Sequence, residues 1–348
     1  MINPEPKTPA TVIDLTHRVV RFQELIPCKT AFIDAKTPGS DQKENFCIIG
    51  AGVAENPDQI THIQIPHGFD IGAAKQPRGC KNSHHSHDTE EVFFVHRGRW
   101  KFTWGEHGTD GHVVLGQGDM ISLPLHLFRG FENVGDDEGF LLSVLGLNQD
   151  GTAGQVVWAP HVIEQARHHG LILWEDGRLI DTTRGGQIPL QGRPMQPLKP
   201  EALARFKRLT LDDMLKGVCF CSQLSAEAYQ GGLNAVAGVT ENVMIGIADN
   251  QEGLPAGRIN WPHGFSVRHL RLVPGASTHW HQRFEEEVIL VHQGSIQVET
   301  THQVLTLAVG DVLTCPIELA RNYLNISRSD AELLIVRRTD TPRPAHFL

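Results

Sequence analysis

The sequence predicts an all-β protein built from two tandem β-barrels, with a few short helices and a Pro- and Gly-rich linker between them. Three observations carry that prediction. Short apolar and β-branched runs alternate with glycine-bearing turns between residues 46 and 145, the pattern of a sandwich or barrel. Scarcely a stretch shows helical periodicity. The same pattern then returns after residue 201 at a constant offset, the mark of an internal duplication.

Residues 1–20 form a polar, Pro-bearing arm expected to lie on another part of the fold or on a partner subunit. The first barrel is assigned to 21–158, with strands at Phe46–Gly50, Ile60–Ile65, 83–96, 100–104, Val113–Leu115, Met120–Leu123 and Phe140–Leu145. Trp100, Phe102 and Trp104 alternate with Lys101 and Thr103, as in a strand with one buried and one wet face. Residues 159–200 are the linker, with a helix over His161–His169, a hairpin turning at Asp176-Gly177, and then Pro189, Pro194, Pro197 and Pro200. In 201–348, the second barrel, Thr210 reads as a helix N-cap with Asp213 three residues on.

The duplication is explicit. Pro262-His263-Gly264-Phe265 copies Pro66-His67-Gly68-Phe69, and Gly275, His281, Glu287 and Gly294 follow Gly79, His85, Glu91 and Gly98, all at an offset of 196. After a four-residue deletion, Gly310-Asp311, Pro316, Arg321 and Asn325 follow Gly118-Asp119, Pro124, Arg129 and Asn133. The PHGF copies read as a turn with a core phenylalanine.

Within Gly79–Gly98, His85 and His87 stand two residues apart and Glu91 four further on. On an extended segment all three point the same way, because strand side chains alternate with period two. Two imidazoles and one carboxylate are the facial set that holds non-haem Fe(II) with open positions, although zinc, manganese, nickel or copper also accepts such ligands. Three ionisable groups aimed into a barrel are costly to bury without a metal or ligand. The spacing of Gly79, His85, His87, Glu91 and Gly98 resembles the first signature motif of the cupin superfamily, and the set from Gly118 to Asn133 resembles the second. That resemblance implies two jelly-roll barrels. Where its pattern places a fourth ligand, a histidine, this chain has Arg129, whose planar fork would hold an acidic substrate beside the metal or pair with Glu91. His126 is a poor substitute ligand by its spacing. His84 should face away from the triad, and His96, at the strand end, reads as a turn residue.

In the second copy Arg283 replaces His87, so the aligned set is His281, Arg283, Glu287 and Arg321. Two arginines there favour a salt-bridged, metal-free interior, although they leave room for an anion. A rival register, His279, His281 and Glu285, has the spacing of the first triad shifted by two, which keeps the same strand face. The possible second site therefore draws on His279, His281, Glu287 and Arg321.

The chain is 348 residues, 40% hydrophobic and 20% charged, with a net charge of -9. It lacks the basic patch of a nucleic-acid surface and any apolar run of membrane-spanning length, and reads as cytoplasmic. Six scattered cysteines without a CxxC pair fit a reducing compartment, and the Cys219/Cys221 pair reads as packing. Two-barrel cupins with such a site are similar to ring-cleaving dioxygenases of hydroxylated aromatic acids. That resemblance implies an Fe(II) dioxygenase acting on a small acid, with Arg129 as the anchor of the acid group and Trp100, Phe102 or Trp104 either lining the pocket or filling the core. The alternatives are a metal-dependent isomerase or decarboxylase of a sugar or keto acid, and a non-catalytic anion-binding protein. A homodimer is expected from exposed barrel edges and the arm.

Overall fold

The computed structural model describes residues 13–225, 230–248 and 251–348, so residues 1–12 of the expected arm lie outside the described residues. In the first half a seven-stranded sheet runs in the order Val218–Cys219, Met120–Leu123, Glu91–Arg97, Gly139–Gly146, Phe69–Gln76, Glu44–Ile49, Thr61–Ile63. It faces a five-stranded sheet ordered Val157–Trp158, Lys81–Ser86, Arg129–Asn133, Trp100–Trp104, Gly111–Leu115. The second half repeats the plan, with Val19–Val20, Val312–Cys315, Glu287–Gln293, Ala331–Arg338, Phe265–Leu272 and Val239–Ile245 facing Val304–Leu307, Ile296–Thr300, Arg321–Asn325, His281–Gln282 and His346–Phe347. The fold is two jelly-roll barrels with few helices. Gly98 and Gly294 make the same tight turn in both, at φ of 93° and 75°. A Cβ on Gly98 would come 2.9 Å from the Gly139 Cα, so only glycine fits.

Each barrel takes an edge strand from the segment that leads into the other. Val218–Cys219 pairs with Met120 and Ile121 of the first barrel, and Val19–Val20 pairs with Val312 and Leu313 of the second. Both large sheets are thereby extended at an edge that would otherwise present unpaired backbone groups.

The barrels meet through these large sheets in one apolar layer that includes Phe46, Phe94 and Phe140 on one side and Val267, Leu290 and Val336 on the other. Counterparts of the repeat touch there: the rings of Phe69 and Phe265 are 5.9 Å apart between centroids. His96 is not a turn residue. It is buried inside Glu91–Arg97, with its Nδ1 3.2 Å from Nδ1 of His292, its own counterpart, because the outer face of that strand is covered by the second barrel rather than by water. His67 and His263 sit in the turns before the two core phenylalanines, and the His263 Nε2 contacts Ser122 Oγ at 2.7 Å.

Between the barrels the helix Pro160–His168 starts with proline at its first turn and buries Val162, Ile163 and Ala166 against Trp158, Phe128 and Leu171. The hairpin Leu171–Leu173 with Leu179–Asp181 follows. Helix Leu211–Leu215 opens with a reciprocal capping box between Thr210 and Asp213. Cys219 is buried and Cys221 exposed, both as free thiols. No helix among the described residues is long and apolar enough to cross a membrane.

Candidate metal centre

Strand Lys81–Ser86 carries His85, the turn after it His87, and Glu91 opens the next strand, so the three side chains converge inside the first barrel. One ligand atom from each lies within 4.8 Å of the others, and all three residues are buried. His87 Nε2 stands 3.6 Å from Glu91 Oε1, and the two imidazoles meet edge to face at 5.1 Å. His85 Nδ1 donates to the Ser83 carbonyl at 2.7 Å. A carbonyl can only accept, so the proton is on Nδ1 and the Nε2 lone pair is free for a cation. Burial, and after it the Arg129 charge, push both imidazoles well below their usual pKa and keep them neutral.

Arg129 lies behind this group rather than in front of it. Strand Arg129–Asn133 pairs with Lys81–Ser86 so that Arg129 is opposite His85. Its Nη2 donates to Glu91 Oε2 at 2.5 Å, and its Nη1 donates to the carbonyls of His85 and Leu127 at 3.3 and 3.4 Å. Of the two roles expected for Arg129, the structure displays the pairing with Glu91. One carboxylate oxygen is thus held by the guanidinium, and Oε1 remains toward the imidazoles.

His85, His87 and Glu91 line a cavity of about 70 Å³ whose walls include Phe46, Phe93, Phe131 and Trp158, with Asn45 and Gln59 among the polar residues. Trp100, Phe102 and Trp104 do not line it. They fill the core of the first barrel, because their strand turns its buried face toward Ile121, Leu115 and Phe131. Trp158 carried no signal in the sequence beyond being an isolated tryptophan ahead of a helix. It pairs with His85 along the sheet, its ring centroid 5.2 Å from that imidazole, and its Nε1 donates to Glu55 Oε1 at 2.5 Å. Burial raises the Glu55 carboxyl to about 8, so it is mostly neutral at pH 7. His84 faces away from the triad, its Nε2 3.0 Å from Thr103 Oγ1. His126 has a φ of 56° and lies outside the cavity.

The interior of the second barrel is occupied by charged side chains instead. At the positions of His87, Asn45, Gly72 and Leu145 stand Arg283, Glu241, Arg268 and Arg337, and sheet pairing confirms the equivalence: Asn45 is opposite Ala74 as Glu241 is opposite Leu270. These side chains fill the interior. Glu252 takes Arg268 at 2.9 Å, Arg337 at 2.9 Å and Arg283 at 3.1 Å, while Arg321 donates to Glu287 at 2.9 Å. The arginines hold the Glu287 carboxyl far below the usual carboxylate range despite burial. His281 is buried beside this network, its Nδ1 donating to the His279 carbonyl at 3.0 Å, but His279 is exposed with a left-handed φ of 59°, and Glu285 accepts from the Arg343 backbone. The shifted set His279, His281, Glu285 is therefore not brought together. The turn before His281 breaks the alternation on which that register depends. Among the described residues His85, His87 and Glu91 are the one group placed to hold a metal ion.

Residues 74–145, the heart of the first barrel, match the model of the cupin domain family. No curated protein sequence matches the chain. Among solved structures, oxalate decarboxylase of Lactobacillus farciminis in complex with formate superposes with a TM-score of 0.57 at 13% identity, over 97% of this chain and 90% of that one. Oxalate decarboxylase of Bacillus subtilis at pH 4.6 gives 0.54 at 12% identity, over 96% and 78%. At such identity the likeness speaks for the fold alone. Residues 74–145 are thus a cupin domain, and the paired jelly rolls, with their duplicated motifs, have the two-barrel fold of those structures.

Proposed function

We propose that this cupin is a metal-dependent enzyme that acts on a small carboxylic acid, with decarboxylation its leading reaction. The observation that carries the reading is the buried His85, His87 and Glu91 set at the wall of a small cavity. An engineered cavity of about 150 Å³ takes one benzene ring. At about 70 Å³ this one suits an acid of a few atoms better than a hydroxylated aromatic ring. The structural relatives named above, oxalate decarboxylases, support the same class of reaction.

The donor set fits a divalent cation, since the two imidazoles are neutral and Glu91 keeps one oxygen unshared by Arg129. Such an ion supplies Lewis acidity toward substrate oxygens. The remaining work falls to the chain. His85 is fixed in one tautomer by Ser83, and Trp158 packs on its ring. Arg129 orients Glu91 through the bond to Oε2. Phe46, Phe93 and Phe131 exclude water, which strengthens every charge interaction inside.

The same three ligands are the facial set of non-haem iron oxygenases, which favours as second reading an Fe(II) dioxygenase working on a small acid. Gas balance separates the two. Incubation of metal-loaded protein with oxalate and with short 2-oxo acids should release carbon dioxide without matching loss of dioxygen. Stoichiometric dioxygen consumption would favour the oxygenase, and no turnover of any acid in the panel would count against both.

A further inference from the structure

Resting on the metal reading, we propose that Arg129 is a specificity-determining residue: acting through Glu91, it makes the cavity prefer dianionic ligands over monoanions of the same size. Among the described residues Glu91 is the one carboxylate that lines the cavity, and Arg129 neutralises it across 2.5 Å. The other charged groups nearby cancel or vanish. Asp34 and Lys43 form a fully buried ion pair, from which Lys43 also donates to Asn82 Oδ1 at 2.8 Å. His85 and His87, as ligands that give a ring-nitrogen lone pair to the cation, carry no charge. Protein charge around a bound divalent cation therefore sums to zero, and its full double charge sits among Phe46, Phe93, Phe131 and Trp158. With a neutral residue at position 129, Glu91 would offset one of those charges.

The second barrel displays the other solution to the same problem. There the extra guanidinium Arg283 is met by the protein's own Glu252 at 3.1 Å and Glu241 at 3.6 Å. The first barrel has Asn45, a neutral amide, where Glu241 stands, and the Asn45 Nδ2 has no hydrogen-bond partner. The cavity thus provides a donor and no counter-charge, so the ligand must bring the negative charge itself.

The test uses the full chain loaded with manganese, with metal content measured first, and compares oxalate with glyoxylate by calorimetry at fixed ionic strength. Wild type should favour the dianion. Arg129→Gln should lower the oxalate-to-glyoxylate affinity ratio by about 10- to 100-fold, and Arg129→Lys should retain most of it. Asn45→Asp adds a negative charge without breaking the Arg129–Glu91 bond and should lower the ratio as well, which covers an Arg129→Gln protein that fails to fold. A manganese-loaded wild type with no preference, or a ratio unmoved in the folded variants, would overturn this inference and leave the metal reading standing. A protein that holds no metal would overturn both.

Discussion

His96 and His292 stand 196 residues apart in the chain and meet Nδ1 to Nδ1 at 3.2 Å in the layer between the barrels. Burial is the main reason that both are hard to protonate, with pKa values lowered to about 3 and about 4. In the unfolded chain each takes a proton near pH 6.5. Between those limits the unfolded state binds more protons, so this contribution to stability is complete above pH 6.5 and is lost as pH falls toward 4.

The measurement is the urea midpoint as a function of pH. Each histidine should contribute about 1.4 kcal/mol per pH unit to the acid limb between pH 6 and 4.5. His96→Phe should make that limb shallower by about one proton's worth. An unchanged slope in both His96→Phe and His292→Phe would show that the pair does not govern acid sensitivity.

Glu252 is the hub of the filled interior, buried and paired with Arg268, Arg283 and Arg337. Glu252→Gln leaves three buried guanidiniums with only the more distant Glu241 and, for Arg283, Glu287 as charge partners, and should cost about 3–5 kcal/mol in chemical unfolding. Metal binding by the first barrel should persist under native conditions. A loss below about 1 kcal/mol would mean that water already screens the network.

Gly72 faces the cavity of the first barrel at the position where the second barrel has Arg268. A Cβ there would meet Ser143 Oγ at 3.0 Å and the Phe46 carbonyl oxygen at 3.3 Å. Gly72→Val should therefore leave metal content intact and weaken the binding of small carboxylates by at least about tenfold. If carboxylate affinity survives unchanged, the ligand does not occupy this cavity.

Much of this was legible in the sequence because its signals are periodic or repeated. Period-two alternation marks the strands, the 196-residue offset marks the duplication, and the spacing of His85, His87 and Glu91 singles them out as a group. They do not share one strand face, however: the expected strand 83–96 is broken at His87 into Lys81–Ser86 and Glu91–Arg97, which belong to facing sheets, and the three side chains converge across the barrel. Long-range packing was not. That Val19–Val20 would edge the second barrel and Val218–Cys219 the first depends on how the halves dock, which no local pattern encodes. His96 looked like a turn residue because a histidine before Arg97-Gly98 is locally polar, while its environment is set by the facing sheet. Trp100, Phe102 and Trp104 could have lined either side of their strand's buried face, and only the packing against Leu115, Ile121 and Phe131 puts them in the core. The filling of the second interior was readable in part: Asn45, Gly72 and Leu145 become Glu241, Arg268 and Arg337 once the repeat is aligned.

The central claim is that the first barrel alone holds a catalytic divalent metal, and metal analysis of protein stripped, reloaded and freed of excess ion tests it most directly. Wild type should retain about one divalent ion per chain, and His87→Ala should lose it while the second barrel's unfolding is unchanged. An empty wild type, or a His87→Ala protein that keeps its metal, would contradict the account.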